Sequence, residues 1–341
     1  MIRYDYHGTG FAGWQEKLSH YEPVFLLKLF RDMLRIRIIE EEIERRYWQD
    51  HMKSPIHLVI GQEATSVGAC AALTHADLLY ASHRTHGNYF AKGGDLKAML
   101  CEMHCRINGC VGSRGGSMHL MDKSVGMAGS SAIVAGVVPI ATGAAFAAQM
   151  QNASYVTTVF LGDAATEEGA VSEALNFAAL KQLPIIYFCE NNFYSVQSPL
   201  HTRQPKREIY KWAASYGMPS VLVDGTNVLA VYEAMQAAVA RARQGGGPTF
   251  IESPVYRFRA HGGAGDDSKT GYRDIAEREA WQKVCPIETY FAFLKSAGLI
   301  DEQARKVMAG EIMAETMEAF DFALASPNPS EADLYTHVYA D

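Results

Sequence analysis

The spacing of apolar positions changes period several times along the chain, and each change predicts an element. Between Pro23 and about His51, Leu26, Leu29, Phe30, Met33 and Ile43 recur at helical intervals among many charges, predicting a long amphipathic helix that packs along a surface or a partner. Gln62 to Leu73 follows a turn at Gly61 and is rich in small residues, as a closely packed buried helix requires. Small residues return from Val137 to Met150, with Pro139 in the first helical turn, where its missing N–H leaves no bond unmade. From Tyr155 the pattern alternates. β-Branched and aromatic residues to Leu161 predict a strand, Glu168 to Leu180 a helix, and the apolar run Pro184 to Cys189 a second strand of the kind buried on both faces. A helix over Val228 to Arg243 and a strand over Thr249 to Tyr256 continue the series. The predicted fold class is therefore α/β, a mainly parallel sheet flanked by helices and joined by right-handed crossovers. Beyond Asp274, Ile275, Trp281, Ile287, Tyr290, Phe291 and Leu294 form a helical stripe, and Leu334, Tyr335, Val338 and Tyr339 read as an extended tail. Three segments follow: an N-terminal helical extension over 1–50, an α/β unit over 51–272 and a C-terminal helical extension over 273–341.

Composition narrows the function. Against 31 basic residues stand 38 acidic ones, a formal charge of −7 that gives no general attraction to nucleic acid or anionic membrane. Apolar residues at 48% and charged residues at 20% suffice for a large core and exclude wholesale disorder. No apolar run approaches the roughly 18 residues of a membrane span, and Met1-Ile2-Arg3-Tyr4-Asp5 is too polar for a signal sequence, so a cytoplasmic or matrix location is expected. The six cysteines read as free thiols of a reducing compartment. Cys101, His104, Cys105 and Cys110 cluster in sequence, but they lack a CxxC pair and Cys101 to Cys105 is one helical turn, so no zinc site is assigned there.

The chemistry concentrates where the strand ending at Leu161 runs into Gly162-Asp163-Ala164-Ala165 and then a helix. An acid at the carboxyl end of a parallel strand lies on the edge where open α/β sheets bind ligands, and the next helix offers unpaired amides suited to phosphate. The following strand ends in Glu190-Asn191-Asn192-Phe193-Tyr194, with 26 residues between Ala164 and Asn191. Asp163, Asn192 and a nearby carbonyl would supply three hard oxygen ligands of the kind that hold Mg²⁺ beside a phosphorylated group. Taken separately, Asp163 is equally a helix cap and Asn191-Asn192 a turn. Glycines between Lys92 and Gly129 add a stretch in which backbone can approach a ligand closely.

With this spacing the chain resembles the alpha subunits of thiamine diphosphate-dependent 2-oxo acid dehydrogenases, the decarboxylating first components for pyruvate, branched-chain 2-oxo acids or acetoin. The likeness runs from about Phe30 to Tyr335 and rests on several pieces in order: His57 with Gly61-Gln62-Glu63-Ala64, Arg84-Thr85-His86-Gly87, Gly115-Gly116-Ser117-Met118-His119, Ile133-Val134, the Gly162 and Glu190 segments, and Tyr256-Arg257 with His261. It implies thiamine diphosphate and Mg²⁺ as cofactors, with Asp163, Asn192 and the main-chain oxygen of Tyr194 on the metal. Arg84, Arg257 and His261 would contact the diphosphate, with His83 beside them; Gly162, Ala164 and Ala165 belong to the same motif. Ala132 and Val134 would hold the aminopyrimidine through main-chain groups, and Val196 would support the bent cofactor. His57, His86 and His261 are the candidates for proton transfer.

The resemblance further implies a beta subunit that supplies the glutamate acting on the aminopyrimidine, an assembly of two alpha and two beta chains, and a lipoyl acyltransferase as acyl acceptor. The 51–272 unit would then be the diphosphate- and Mg-binding domain. Three departures stand out: Ala164 where the motif has glycine, His83 where tyrosine is common, and Gly262 where mitochondrial relatives carry a phosphorylated serine. They leave room for a two-subunit carboligase or transketolase-like enzyme with the same cofactor. The glycine-rich stretch from Gly262 to Gly271 reads as a loop that orders when cofactor binds.

Overall fold

Strand residues that alternate in facing two separate apolar cores build a sheet covered on both sides. The computed structural model, which describes residues 8–205 and 208–339, contains six parallel strands. They are β1 Leu78–Ala81, β2 Met127–Ser130, β3 Thr157–Gly162, β4 Ile185–Asn191, β5 Ser220–Leu222 and β6 Thr249–Pro254, in the spatial order β2-β1-β3-β4-β6-β5. Phe160, Ile186, Phe188 and Ile251 point into one core, shared with the helix Pro23–Tyr47 and the C-terminal helices. Val159, Leu161, Ile185, Tyr187, Cys189 and Phe250 point into the other, beneath the helices Val137–Met150 and Gly169–Lys181. Every residue of β4 and β6 is buried, and the apolar runs Ile185 to Cys189 and Phe250-Ile251 accordingly lack the in-out alternation of a half-exposed strand.

The long amphipathic helix is present over Pro23–Tyr47, with proline at its first position and its apolar stripe buried. Ion pairs Arg31–Glu311 at 2.9 Å and Arg35–Glu315 at 2.7 Å lie between it and the helix Glu302–Ala325. The small-residue helix, Glu63–Ala71, packs on the helix Val228–Arg243. A β-carbon on Gly68 would lie 2.6 Å from the Val228 carbonyl oxygen, so the approach demands glycine.

The structure also holds elements the apolar pattern does not announce. Strands β1, β2 and β5 have three or four residues each, too few to show a period. The glycine-rich stretch after Lys92 contains the helix Leu96–Met103, capped by the Asp95 carboxylate, as well as β2. The tail is not extended throughout: Glu331–Tyr335 forms a 3-10 turn, closed by a reciprocal Ser330–Asp333 capping box. Among the described residues, no helix is long and apolar enough to cross a membrane.

Registry sets up the site. Gly162 pairs with Glu190 and Asn191 with Pro254, so β3, β4 and β6 end level. From β1 the chain goes out to the edge strand β2 and returns on the other side of β1 to form β3. That reversal leaves a crevice outside the carboxyl ends of β1 and β3, where ligands bind in sheets of this kind.

Candidate functional site

The crevice holds a cavity of about 230 Å³. Ser82, His83 and Arg84 reach it from the end of β1, Gly162 to Ala165 from β3, and Glu190 and Asn192 from β4. Tyr194, Ser195 and Val196 follow, and His57, Gln62, Met118, Ala132, Val134, Ala135 and His261 complete the wall.

One side carries buried positive charge that makes no ion pair among the described residues. Arg84 is buried, and its guanidinium donates only to main-chain oxygens, those of Leu58 at 2.5 Å and His261 at 2.9 Å. Arg257 is 1% exposed and donates to the carbonyl of Val196 at 3.0 Å and to the Tyr272 hydroxyl at 3.4 Å, while its Nε has no partner. It stands behind Val196 and is not among the residues that line the cavity. Among the described residues, neither arginine has a carboxylate within ion-pair distance. Burial, reinforced by the charge of Arg257, pulls the Arg84 pKa down to about 9. Such a pair is stabilised by an anion brought between them.

Three imidazoles stand beside Arg84. The His57, His83 and His261 rings have centroids 4.6 to 5.4 Å apart. Burial first, and the nearby Arg84 charge next, lower their pKa values to about 2, 4 and 3 respectively, so all three are neutral at physiological pH. A β-carbon on Gly262 would come within 3.2 Å of His57 Nε2, so glycine at this position gives the ring its space.

The opposite side is acidic. Asp163 is 1% exposed and begins a 3-10 turn directly after β3. Burial raises its carboxyl pKa, opposed by the Arg203 guanidinium, which donates to Oδ2. The same guanidinium also pairs with Glu167. Asn192 Nδ2 donates to Gln62 Oε1 at 3.4 Å, and Asn192 Oδ1 accepts from the Tyr194 amide at 3.3 Å. Ala164 is not among the residues with positive φ, so its methyl brings no left-handed strain to the turn. Glu190 accepts the Thr65 hydroxyl, and burial pushes its pKa up to about 7.

A short hairpin, Tyr194–Ser195 against Ser198–Pro199, carries Val196 at its tip. Its φ is +52° and the side chain is half exposed, both unfavourable for a β-branched residue. Strain of this kind, held at a cavity wall, commonly belongs to a ligand contact. The Gly262–Gly271 stretch is tied down by contacts of its own: Asp267 pairs with Arg273, Asp266 with Arg278 at 2.6 Å, and the Gly265 amide donates to Glu44 at 3.1 Å.

The cavity thus gathers His57, His83, Arg84, Ala132, Val134, Gly162, Asp163, Ala164, Ala165, Asn192, Tyr194, Val196 and His261. His86 lies elsewhere. It is fully buried, with Nδ1 2.6 Å from Glu40 and Nε2 2.7 Å from the Ser117 hydroxyl, so neither nitrogen is free for proton transfer in the cavity. Gln62, Met118, Glu190 and Ser195 line the wall without having been singled out by type. Gln62, Met118 and Glu190 lie inside the sequence pieces quoted above, whereas nothing marks Arg203.

The dehydrogenase E1 component family model matches residues 31–331. The chain is 36% identical over 321 residues to the chloroplastic pyruvate dehydrogenase E1 component subunit alpha-3 of Arabidopsis thaliana, covering 92% of this chain and 74% of that protein. It is 35% identical over 315 residues to the alpha subunit of the acetoin:2,6-dichlorophenolindophenol oxidoreductase of Bacillus subtilis (strain 168), covering 92% and 93%. With the pyruvate dehydrogenase E1 component subunit alpha of Rickettsia bellii (strain RML369-C) the identity is 33% over 325 residues, covering 95% and 99%. Similarity of this extent, over a parallel sheet whose crevice is lined by the buried Arg84 and the buried Asp163, places the chain in the dehydrogenase E1 component family, among its alpha subunits.

Proposed function

We propose that this chain is the alpha subunit of a thiamine diphosphate-dependent 2-oxo acid dehydrogenase, acting on a 2-oxo acid such as pyruvate or on acetoin and passing the acyl group to a lipoyl carrier. The observation that carries the reading is the buried Arg84, bonded only to main-chain oxygens, in the wall of the same cavity as Asp163 and Asn192, with the buried Arg257 behind Val196. The unpartnered Arg257 Nε, the neutral imidazole of His261 and the buried Asp163 carboxylate fit a diphosphate bridged by Mg²⁺.

Asp163, the Asn192 side chain and the Tyr194 carbonyl would hold the metal, with Arg203 fixing the carboxylate through Oδ2. Arg84, Arg257, His83 and His261 would hold the diphosphate. Ala132 and Val134 offer main-chain groups to the aminopyrimidine, and Val196 an apolar support. When bound, thiamine diphosphate supplies the electron sink for cleavage next to a carbonyl. His57 is the candidate for proton transfer at the reacting end, its pKa rising from about 2 once a bound diphosphate offsets the Arg84 charge that helps to depress it, and Met118 and Val196 help exclude water. His86 has a positioning role, holding Ser117 of the loop that carries Met118.

The acid acting on the aminopyrimidine is assigned to a beta subunit, with two alpha and two beta chains in the assembly and a lipoyl acyltransferase downstream. Six free thiols suit a reducing compartment, and the cytoplasm is the proposed location. The test is to co-purify the chain with its beta subunit and titrate thiamine diphosphate with and without Mg²⁺, in the wild type and Asp163→Ala. The variant is expected to lose the Mg²⁺-dependent gain in affinity. An undiminished gain would remove Asp163 from the metal and overturn the assignment.

A further inference from the structure

His83 completes a cluster of three imidazoles in the cavity wall. The ligand nitrogens of His57, His83 and His261 all lie within 4.8 Å of one another. Among the described residues no ring nitrogen of the three has a hydrogen-bond partner, and His57 Nδ1 is buried with its bonding capacity unused. Buried imidazole nitrogens are ordinarily satisfied, so the unpartnered His57 Nδ1, beside two half-buried rings whose ligand nitrogens lie within reach of it, indicates a ligand that takes nitrogen donors. Tyrosine at position 83 would leave only two.

We propose that His57, His83 and His261 form a binding site for a zinc-class divalent transition metal ion, with three imidazole ligands and a fourth position open to an anion. Tetrahedral zinc with Zn–N of about 2.0–2.1 Å places its nitrogens about 3.3 Å apart, so the pairs need to close by at most about 1.5 Å. Neutral nitrogen donors select zinc, cobalt, nickel or copper over Mg²⁺, which prefers oxygen, so the site is chemically separate from Asp163 and Asn192. The neighbouring Arg84 charge opposes a bare dication. A chloride, hydroxide or phosphate oxygen in the fourth position relieves that repulsion and pairs with the guanidinium. An ion here lies in the crevice proposed for the diphosphate, so zinc would compete with the cofactor for the space.

The proposal goes beyond the cofactor reading, and the experiment separates the two. The full-length chain, stripped of divalent ions and cofactor, is titrated with Co²⁺ and followed by visible absorption. One Co²⁺ per chain with the intense bands of a four-coordinate ion is expected, displaced by Zn²⁺ and untouched by excess Mg²⁺. His83→Tyr should weaken Co²⁺ binding by on the order of 100-fold or more, since loss of even an outer-shell partner of a metal costs 10–100-fold. His57→Gln is the second variant, and circular dichroism confirms that each is folded. Asp163→Ala should bind Co²⁺ as the wild type does. Weak six-coordinate bands, or full binding in both histidine variants, would overturn the site. Loss of Co²⁺ in Asp163→Ala would likewise place the ion at the acidic side and overturn the histidine site, while leaving the cofactor reading standing.

Discussion

At single positions the protein holds chemistry at a cost in stability, and that cost is measurable. Val196 at φ +52° carries a strain of roughly 1–2 kcal/mol for an L-residue in the left-handed region. Val196→Gly is expected to raise the unfolding free energy by about 1 kcal/mol in denaturant titration while weakening thiamine diphosphate binding, because the apolar support is gone. Glu190 is the second such position. Its folded pKa stands at about 7, against about 4.3 for an exposed glutamate, so between these values the folded state keeps a proton that unfolding releases. Stability from this group is therefore full below the interval, declines as pH rises towards 7 and is level beyond. Glu190→Gln keeps the hydrogen bond without the titration. The stability of variant minus wild type, from urea unfolding without cofactor, should grow between pH 5 and 7 by of the order of 1 kcal/mol per pH unit and then plateau. The three histidines, whose depressed pKa values destabilise the fold below pH 6.5, cancel in that difference. Residue chemistry was legible in sequence where type and spacing coincided, as at Asp163 and Asn192, whereas Arg84 was singled out only through the family resemblance. Arg203 stayed hidden because its partner, Asp163, is 40 residues away and only the fold brings them together.

The elements were legible in proportion to their length and periodicity. The helices Val137–Met150 and Val228–Arg243 begin and end as the apolar pattern predicts, because each has three or more turns over which a stripe repeats. Strands β3, β4 and β6 were found within a few residues because each is buried on both faces and carries consecutive β-branched or aromatic residues, Thr157 to Phe160, Ile185 to Phe188 and Thr249 to Ile251. β1 and β2 escaped, although the chain runs from the end of β1 into His83 and Arg84, since four residues carry no period and β2 is Met-Ala-Gly-Ser. Turns joining these elements are set by backbone geometry that only certain residues accept. Gly61, before the helix Glu63–Ala71, has φ +101°, and a β-carbon there would lie 2.4 Å from the Tyr256 carbonyl oxygen. Gly61→Ala should therefore displace the segment holding Arg257 as well as straining the turn. A loss of at least about 1–3 kcal/mol in unfolding free energy is expected, together with weaker diphosphate binding in titration calorimetry.

For the whole molecule, the outer face of the helix Val137–Met150 raises the question of what covers it. Ile140 is 59% exposed and Met150 70%, and Leu180 on the neighbouring helix Gly169–Lys181 is 74% exposed. Between Ile140 and Met150, Gly143 is exposed, and a β-carbon added to it meets nothing within 4 Å. Nothing inside the chain therefore requires glycine at that point of a helix, where it costs about 1 kcal/mol relative to alanine. Close approach of another chain is a physical reason for it. The apolar rim and the bare backbone together suit the subunit contacts proposed for the assembly, at a face adjoining Val134 and thus the cavity itself. Gly143→Arg and Ile140→Lys each point into solvent in the isolated chain, so both should fold with circular dichroism and melting temperature close to wild type. Light scattering after co-expression with the beta subunit should show the wild type at the mass of the full assembly and both variants shifted towards separate chains. If both variants assemble fully, this face is not the contact, and the glycine at 143 is left without a packing reason.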